Sequence, residues 1–310
     1  MKESIKVFAP ATVANVGCGF DVLGFAVDQP GDEVTLKLKD TPGLKITSIT
    51  GDEGKLSKDP TKNTVGVSIS NFLHKIGSKQ GIEIELNKKM PLGSGLGSSA
   101  ASAVAGVFAI NKLLGEPLKH QELLPFAMEG EKIACGSAHA DNVGPSLMGG
   151  FVLIRSYAPL DIVKIPTPPD LYCTIIHPQI EVQTKDARSI LKAQVSLKDA
   201  VIQWGNVGGL IAGLMQANYE LIGRSMQDVI VEPIRSILIP AYHEVKQSAL
   251  NAGVLGCGIS GSGPSIFAVS KNRETAQRAG EAMSKVFHSI KIGNEIYVSK
   301  INENGPVILD

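Results

Sequence analysis

Apolar positions recur along this chain at two periods, and the switches between them predict most of its elements. From residue 5 to 38 short apolar stretches are punctuated by Gly and Pro, and Val34, Leu36 and Leu38 alternate with polar neighbours, as on a half-buried strand. Ile82, Ile84 and Leu86 alternate with glutamates in the same way, and residues 64–76 between them carry helical spacing. A Gly-rich turn then leads into a helix of small residues over 98–114, a second helix follows over 121–134, and Gly149-Gly150 introduces an apolar strand at 151–154. Four prolines at 159, 166, 168 and 169 mark a boundary, which divides the chain into expected domains at 1–160 and 161–310. Beyond it the pattern predicts strands at 171–176, 265–269 and 295–301, with helices near 187–193, 206–222, 226–236, 241–251 and 273–287. The coarse reading is two α+β domains, without internal repeats or low-complexity tracts.

The length of 310 residues supports about two domains and a sizeable core. Thirty basic and thirty acidic side chains cancel, so the basic excess that a nucleic-acid binder would use on phosphates is missing. Cys18, Cys135, Cys173 and Cys257 are too far apart for a C-x-x-C metal or redox pair and read as reduced core residues. With no basic-then-apolar leader and no apolar run of about 18 residues, the expectation is a soluble cytoplasmic protein that engages neither membrane nor nucleic acid.

Glycine changes the picture: there are 33, concentrated in a few loops. In the first loop, PLGSGLGSSAA at 91–101, Gly93, Gly95 and Gly97 let backbone N–H groups converge at a helix N-terminus, and Ser94, Ser98 and Ser99 add hydroxyls. That combination suits phosphates. A Walker-type loop is excluded, because no Gly-Lys-Ser/Thr occurs in the chain. The second loop, GCGISGSGP at 256–264, contains G-x-G-x-x-G but follows a helix and opens a strand, the reverse of a dinucleotide fingerprint. It is expected to be a tight helix-to-strand turn with a structural role, packed on the first loop.

On the helix at 121–134, Glu131 falls in the apolar arc with Leu124, Ala127 and Met128, whereas Glu129 points the opposite way. A buried carboxylate requires a cation or several donors; beside a phosphate cradle Mg²⁺ is one candidate, and a salt bridge to Lys or Arg is the other. His139, Asp141 and Asn142 form a polar cluster, expected on a loop and placed to meet a polar ligand.

The loop at 91–101 resembles the ATP-binding signature of the galactokinase, homoserine kinase, mevalonate kinase and phosphomevalonate kinase superfamily. Three further segments, PATVANVGCGFDVLG at 10–24, EGEKIACGSAHADNVGPSLMGG at 129–150 and VQTKDARSIL at 182–191, are similar to the homoserine kinase family, and the likeness spans nearly the whole chain. The resemblance implies an α+β fold of two domains, with a left-handed β-α-β unit at the nucleotide site and a ferredoxin-like C-terminal domain. It implies ATP-dependent phosphorylation of L-homoserine on the way to threonine, with Mg²⁺, and a homodimer. Pro91, Leu92, Gly93, Ser94, Gly95, Leu96, Gly97, Ser98, Ser99, Ala100 and Ala101 would wrap the triphosphate, Asn63 would touch the adenine, and Ser99 and Glu131 would hold the metal. Homoserine would meet Asn15, Asp21, His139, Asn142, Thr184, Arg188 and Arg235. Asp21 can supply an anion for the ammonium, and the two arginines can supply donors for the carboxylate. Asn142 would contact the reacting hydroxyl, with no protein base required. The alternatives are a kinase of another small alcohol and a catalytically silent regulator of the same fold.

Overall fold

Two β-sheets carry the site, in a computed structural model that describes residues 3–136 and 139–309. In the larger sheet β1 (Ser4–Ala14) and β2 (Leu23–Lys39) are antiparallel, and β2 continues onto β4 (Gly81–Asn87), with Val34 opposite Leu86 and Leu36 opposite Ile84. β3 (Leu44–Thr50) runs parallel to β4, and the crossover between them holds α1 (Thr64–Lys75). The alternation read in β2 and β4 is therefore a cross-strand apolar ladder with one face buried.

Beneath that face lies α2 (Ser98–Leu113), which emerges directly from the first glycine loop. Almost every residue of this helix is buried, because Ala100, Ala101, Ala103 and Ala105 keep it thin enough to sit between the sheet and its neighbours, α1 and α3 (Leu124–Cys135). α4 (Ala140–Met148) packs on β1, β2 and β5 (Phe151–Tyr157). Here the expectation of a loop is corrected: His139 is the N-cap residue, and Asp141 and Asn142 lie in the first helical turn. Pro145 stands inside the helix. The lost backbone donor is tolerated in a helix pressed onto β2, where a Cβ on Gly24 would strike the Asp141 carbonyl.

β5 forms a hairpin with β6 (Leu160–Ile165), and Pro159 belongs to its turn; β11 (Val307–Ile308) returns to pair with β1. The larger sheet thus takes strands from both sides of residue 160.

The second sheet is antiparallel with order β10-β7-β9-β8, built from β7 (Tyr172–Pro178), β8 (Gly256–Ile259), β9 (Ile266–Ser270) and β10 (Asn294–Lys300). Helices lie between β7 and β8, and α10 (Arg273–Ser289) lies between β9 and β10. This is the ferredoxin-like β-α-β-β-α-β arrangement. It corrects the reading of residues 256–264 as a helix-to-strand turn. Gly256 to Ile259 form a buried strand, and the turn belongs to a β-hairpin. The glycines that suggested a turn make room: a Cβ on Gly256 would come within 2.8 Å of Met226 Sδ.

The chain from β7 to β8 runs through α5 (Thr184–Ser189), α6 (Leu197–Met215), α7 (Tyr219–Ser225), α8 (Glu232–Arg235) and α9 (Tyr242–Asn251). α6 begins nine residues before the expected start, capped by Ser196, whose hydroxyl accepts the Asp199 N–H. Its solvent face carries Leu197, Val201 and Trp204, so the apolar period could not locate its end. Phe25 stacks on Phe151 at 4.6 Å and meets Phe267 at 6.0 Å, which joins the cores of the two sheets. Cys18, Cys173 and Cys257 are buried free thiols, and burial pushes Cys18 and Cys257 up to about 12. The expectation for Cys135 lies outside the described side chains. Among the described residues no helix is long and apolar enough to cross a membrane.

Candidate active site

A cleft of about 280 Å³ opens where the first glycine loop faces the β8–β9 turn. Leu92 to Ser99 line it, together with Glu131, His139, Asn142, Thr184, Gly261 and Ser262. Eight expected nucleotide-loop residues, among them the expected metal ligand Ser99, together with the other expected metal ligand Glu131 and three expected acceptor residues, therefore share one concavity.

The loop is held open by positive φ at Gly93, Gly95 and Gly97, with values of 67°, 76° and 68°. Gly97 is the left-handed N-cap of α2, so the helix starts without a side-chain cap. The close approach made by two of these glycines is to protein. A Cβ on Gly95 would fall against Ser260 O and 2.7 Å from Gly263 O, and one on Gly97 would fall against Thr12 Oγ1 and 2.7 Å from Asn142 Oδ1. Ser260 Oγ donates to Gly95 O at 2.8 Å, and Ser265 N donates to Ser94 O at 3.2 Å. The second loop is thus a clamp on the first.

α3 presents its two glutamates as the helical period requires: Glu131 is 2% exposed and lines the cleft, whereas Glu129 faces solvent. Ser99 is half-buried on the same cleft. No group of three His, Cys, Asp or Glu side chains among the described residues forms a metal cage. Two protein oxygens beside a glycine loop whose N–H groups suit phosphates are the donor set that suits Mg²⁺, which usually keeps waters and takes substrate phosphates as ligands.

Asn142 is oriented by Thr12, whose hydroxyl donates to Asn142 Oδ1 at 2.8 Å; Thr12 N in turn donates to Leu96 O of the loop at 3.0 Å. With Oδ1 committed, Asn142 offers its Nδ2 donor to a ligand. Asn15 is locked as well, donating from Nδ2 to Gly261 O at 2.8 Å and accepting Asp21 N at 3.0 Å.

Asp21 forms a two-oxygen ion pair with Arg188 Nη2 at 2.7 and 2.8 Å. His139 Nδ1 stands 3.8 Å from Asp21, and its proton affinity is lowered by burial, with Arg188 and Arg235 opposing the pull of Asp21. Arg235 is buried and donates from Nε to Ala187 O at 3.1 Å and from Nη1 to Gly261 O at 3.0 Å. Both guanidiniums stand over the Phe20 ring, 5.4 Å from its centroid for Arg188 and 5.1 Å for Arg235. Thr184 Oγ1 is 3.2 Å from Ser262 Oγ.

Some expected residues stand elsewhere. Asn63 caps α1, with Oδ1 accepting Val65 N and Nδ2 donating to Ser57 O, so its carboxamide is already engaged. Ala100 and Ala101 are core residues of α2, and Pro91 lines a neighbouring hollow with His177. Thr12 and Phe20 were missed, although both fall inside the segment 10–24. Asp141, expected in the polar cluster that meets a ligand, is instead 3% exposed, and burial, followed by Asp21, pushes its carboxyl up to about 7.

Residues 63–150 match the GHMP kinases N-terminal domain, and residues 210–289 match the GHMP kinases C-terminal domain. A homoserine kinase of Chlorobium phaeobacteroides is 52% identical over 99% of this chain and 100% of its own length. The chain belongs to the homoserine kinase family. A more distant homoserine kinase, from Xylella fastidiosa, is 37% identical over 98% of the chain and 94% of its own. The crystal structure of homoserine kinase from Cytophaga hutchinsonii superposes with a TM-score of 0.98 at 67% identity, covering 100% of this chain and 98% of that one. L. major mevalonate kinase in complex with R-mevalonate shares the fold at a TM-score of 0.73 and 15% identity, covering 97% and 98%. Membership in this kinase family makes ATP the phosphoryl donor.

Proposed function

We propose that the protein transfers the terminal phosphoryl group of ATP to the side-chain hydroxyl of L-homoserine, forming O-phospho-L-homoserine on the route to threonine, as a cytoplasmic enzyme that pairs as a homodimer. The reading rests above all on the Asp21–Arg188 pair, whose Asp21 is 3.8 Å from His139 of the glycine-loop cleft, while Arg235 donates to Gly261 of the same cleft. An amino acid carries one ammonium and one carboxylate. It can satisfy an acid and a guanidinium together, which neither a sugar nor mevalonate can do.

In this reading residues 1–160 hold the nucleotide and part of the acceptor, and residues 161–310 contribute Thr184, Arg188 and Arg235. Leu92 to Ser99 bind the triphosphate through backbone N–H groups and the start of α2. Ser99 and Glu131 hold Mg²⁺, which when bound neutralises developing charge on the phosphates. Asn142 donates from Nδ2 to the acceptor hydroxyl oxygen and aims a lone pair at phosphorus. As the new O–P bond forms, the bond between the terminal phosphorus and the ADP oxygen breaks, and the hydroxyl proton passes to an oxygen of the transferred phosphoryl group and on to water. A carboxamide whose oxygen is held by Thr12 is no base, so its work is positioning. Burial keeps His139 neutral at neutral pH, where it can donate to Asp21 or to substrate.

ADP release coupled to a dye or NADH readout, with Mg²⁺-ATP and homoserine, mevalonate, galactose or shikimate, tests the proposal. Homoserine should exceed the others by at least about 100-fold in kcat/KM, because none of them offers both an ammonium for the acid and a carboxylate for the guanidiniums. Equal rates with mevalonate would favour another acceptor.

A further inference from the structure

Directly beneath the phosphate loop lies a buried ion pair that the site described above does not use. Asp32 of β2 and Lys88, just after β4, are in contact, with side chains 0% and 2% exposed. Asp32 accepts from Lys88 Nζ, from Ser98 Oγ at 2.9 Å and Ser102 Oγ at 3.2 Å, and from Lys89 N at 2.9 Å. Lys88 Nζ also donates to Ser98 O at 2.9 Å and to Ser102 Oγ at 2.7 Å. All three ammonium protons thus have acceptors, and both carboxylate oxygens have donors. That level of satisfaction is what allows a buried pair to persist.

Every one of these partners except Lys89 belongs to the first turn and a half of α2, the turn that begins at Gly97. Gly97 gives α2 no side-chain cap. Ser98 instead turns inward and is gripped twice, by its hydroxyl and by its carbonyl, while the adjacent Ser99 faces the cleft. A single carboxylate here would drain the positive potential that the helix start offers to phosphate; a single ammonium would be repelled by it. The neutral pair fixes the turn and leaves that potential available.

We infer that Asp32 and Lys88 are positioning residues for nucleotide binding: they hold the first turn of α2 in register with β2 and β4, so that the loop N–H groups and Ser99 point into the cleft. The inference rests on the reading of that cleft as the ATP site.

Asp32→Asn keeps the volume but sets an amide donor against the ammonium and the two hydroxyls. Ser102→Ala removes one partner of each charged group, lies outside the cleft lining and changes little volume. Calorimetric titration with a non-hydrolysable ATP analogue, run beside homoserine KM measurements, separates the roles. Asp32→Asn should weaken the nucleotide at least 10-fold and Ser102→Ala roughly 3-fold to 10-fold, both leaving homoserine KM within about twofold. Should Asp32→Asn fail to fold, Ser102→Ala carries the test. Nucleotide affinity within twofold of the parent in folded variants, with only the melting temperature lowered, would overturn the inference and make the pair a support of the fold. A parent enzyme that binds the analogue but does not turn over homoserine would instead refute the acceptor, while the effect of the pair on nucleotide remains readable.

Discussion

Arg188 Nη2 reaches both carboxylate oxygens of Asp21, at 2.7 and 2.8 Å, so the group assigned to a substrate carboxylate and the group assigned to a substrate ammonium answer one another. Arg188 is 41% exposed, so the pair is partly screened and truncation costs less than at a fully buried site. Arg188→Leu should raise homoserine KM by about 10-fold to 100-fold and leave ATP affinity largely unchanged. Arg188→Lys should recover part of the loss, because an ammonium lacks the planar donor geometry. 3-Amino-1-propanol, which has no carboxylate, should be a poor substrate and lose little further activity in Arg188→Leu. Equal losses on both substrates, measured by steady-state kinetics, would assign Arg188 to the phosphates or the fold.

Glu131 and Glu129 are two residues apart on α3 and face opposite ways. Glu131→Gln preserves volume but removes the charge offered to Mg²⁺, and turnover should drop by about 100-fold or more. Glu129→Gln should be within about twofold of the parent. Mg²⁺ titrations of the rate check both, and indistinguishable variants would contradict the assignment of helix faces.

The three loop glycines should not be equivalent. At Gly93 an added Cβ would make only an ordinary 3.4 Å contact with Glu181 Cγ, so Gly93→Ala bears mainly the left-handed backbone penalty, about 1–2 kcal/mol. At Gly95 the same Cβ meets backbone of the β8–β9 turn, and Gly95→Ala should separate the clamped loops. Its melting temperature and its nucleotide affinity should fall together, and further than in Gly93→Ala. Thermal melts and calorimetry on the two variants check the order.

Asp141 gives the fold a pH signature. Burial and then Asp21, with Glu131 adding to them and Arg188 opposing, raise its carboxyl from 3.8 to about 7. Below pH ~4 both folded and unfolded chains hold the proton, and the neutral acid's full contribution is present. As pH rises towards 7 the unfolded chain releases the proton while the folded chain retains it, so stability declines, by at most about 4 kcal/mol. Asp141→Asn should flatten that slope and melt higher than the parent at pH 8. Parallel melting curves from pH 5 to 8 would contradict the assignment.

Much of this was legible because the signals were local. The alternation at 34–38 and 82–86, the small-residue period of α2 and the opposite faces of Glu129 and Glu131 all follow from neighbours in sequence. What escaped depended on partners far along the chain. Gly256 and Gly258 read as a turn until Met226 and Phe267 are seen beside them, and His139 to Asn142 read as a loop until α4 is pressed on β2. Thr12 carries no charge to draw notice; its role comes from Asn142, 130 residues away. Asn63 shows the converse: the resemblance implied a contact with adenine, and its position before α1 makes it a helix cap.

The central claim, that the acceptor is the hydroxyl of an amino acid, is tested most directly by the phosphorus spectrum of the product formed from ATP and L-homoserine. A new phosphomonoester resonance should grow in step with ADP, coupled to the methylene protons of the homoserine side chain. ADP accompanied by inorganic phosphate alone, or a phosphorus signal without coupling to those protons, would contradict it.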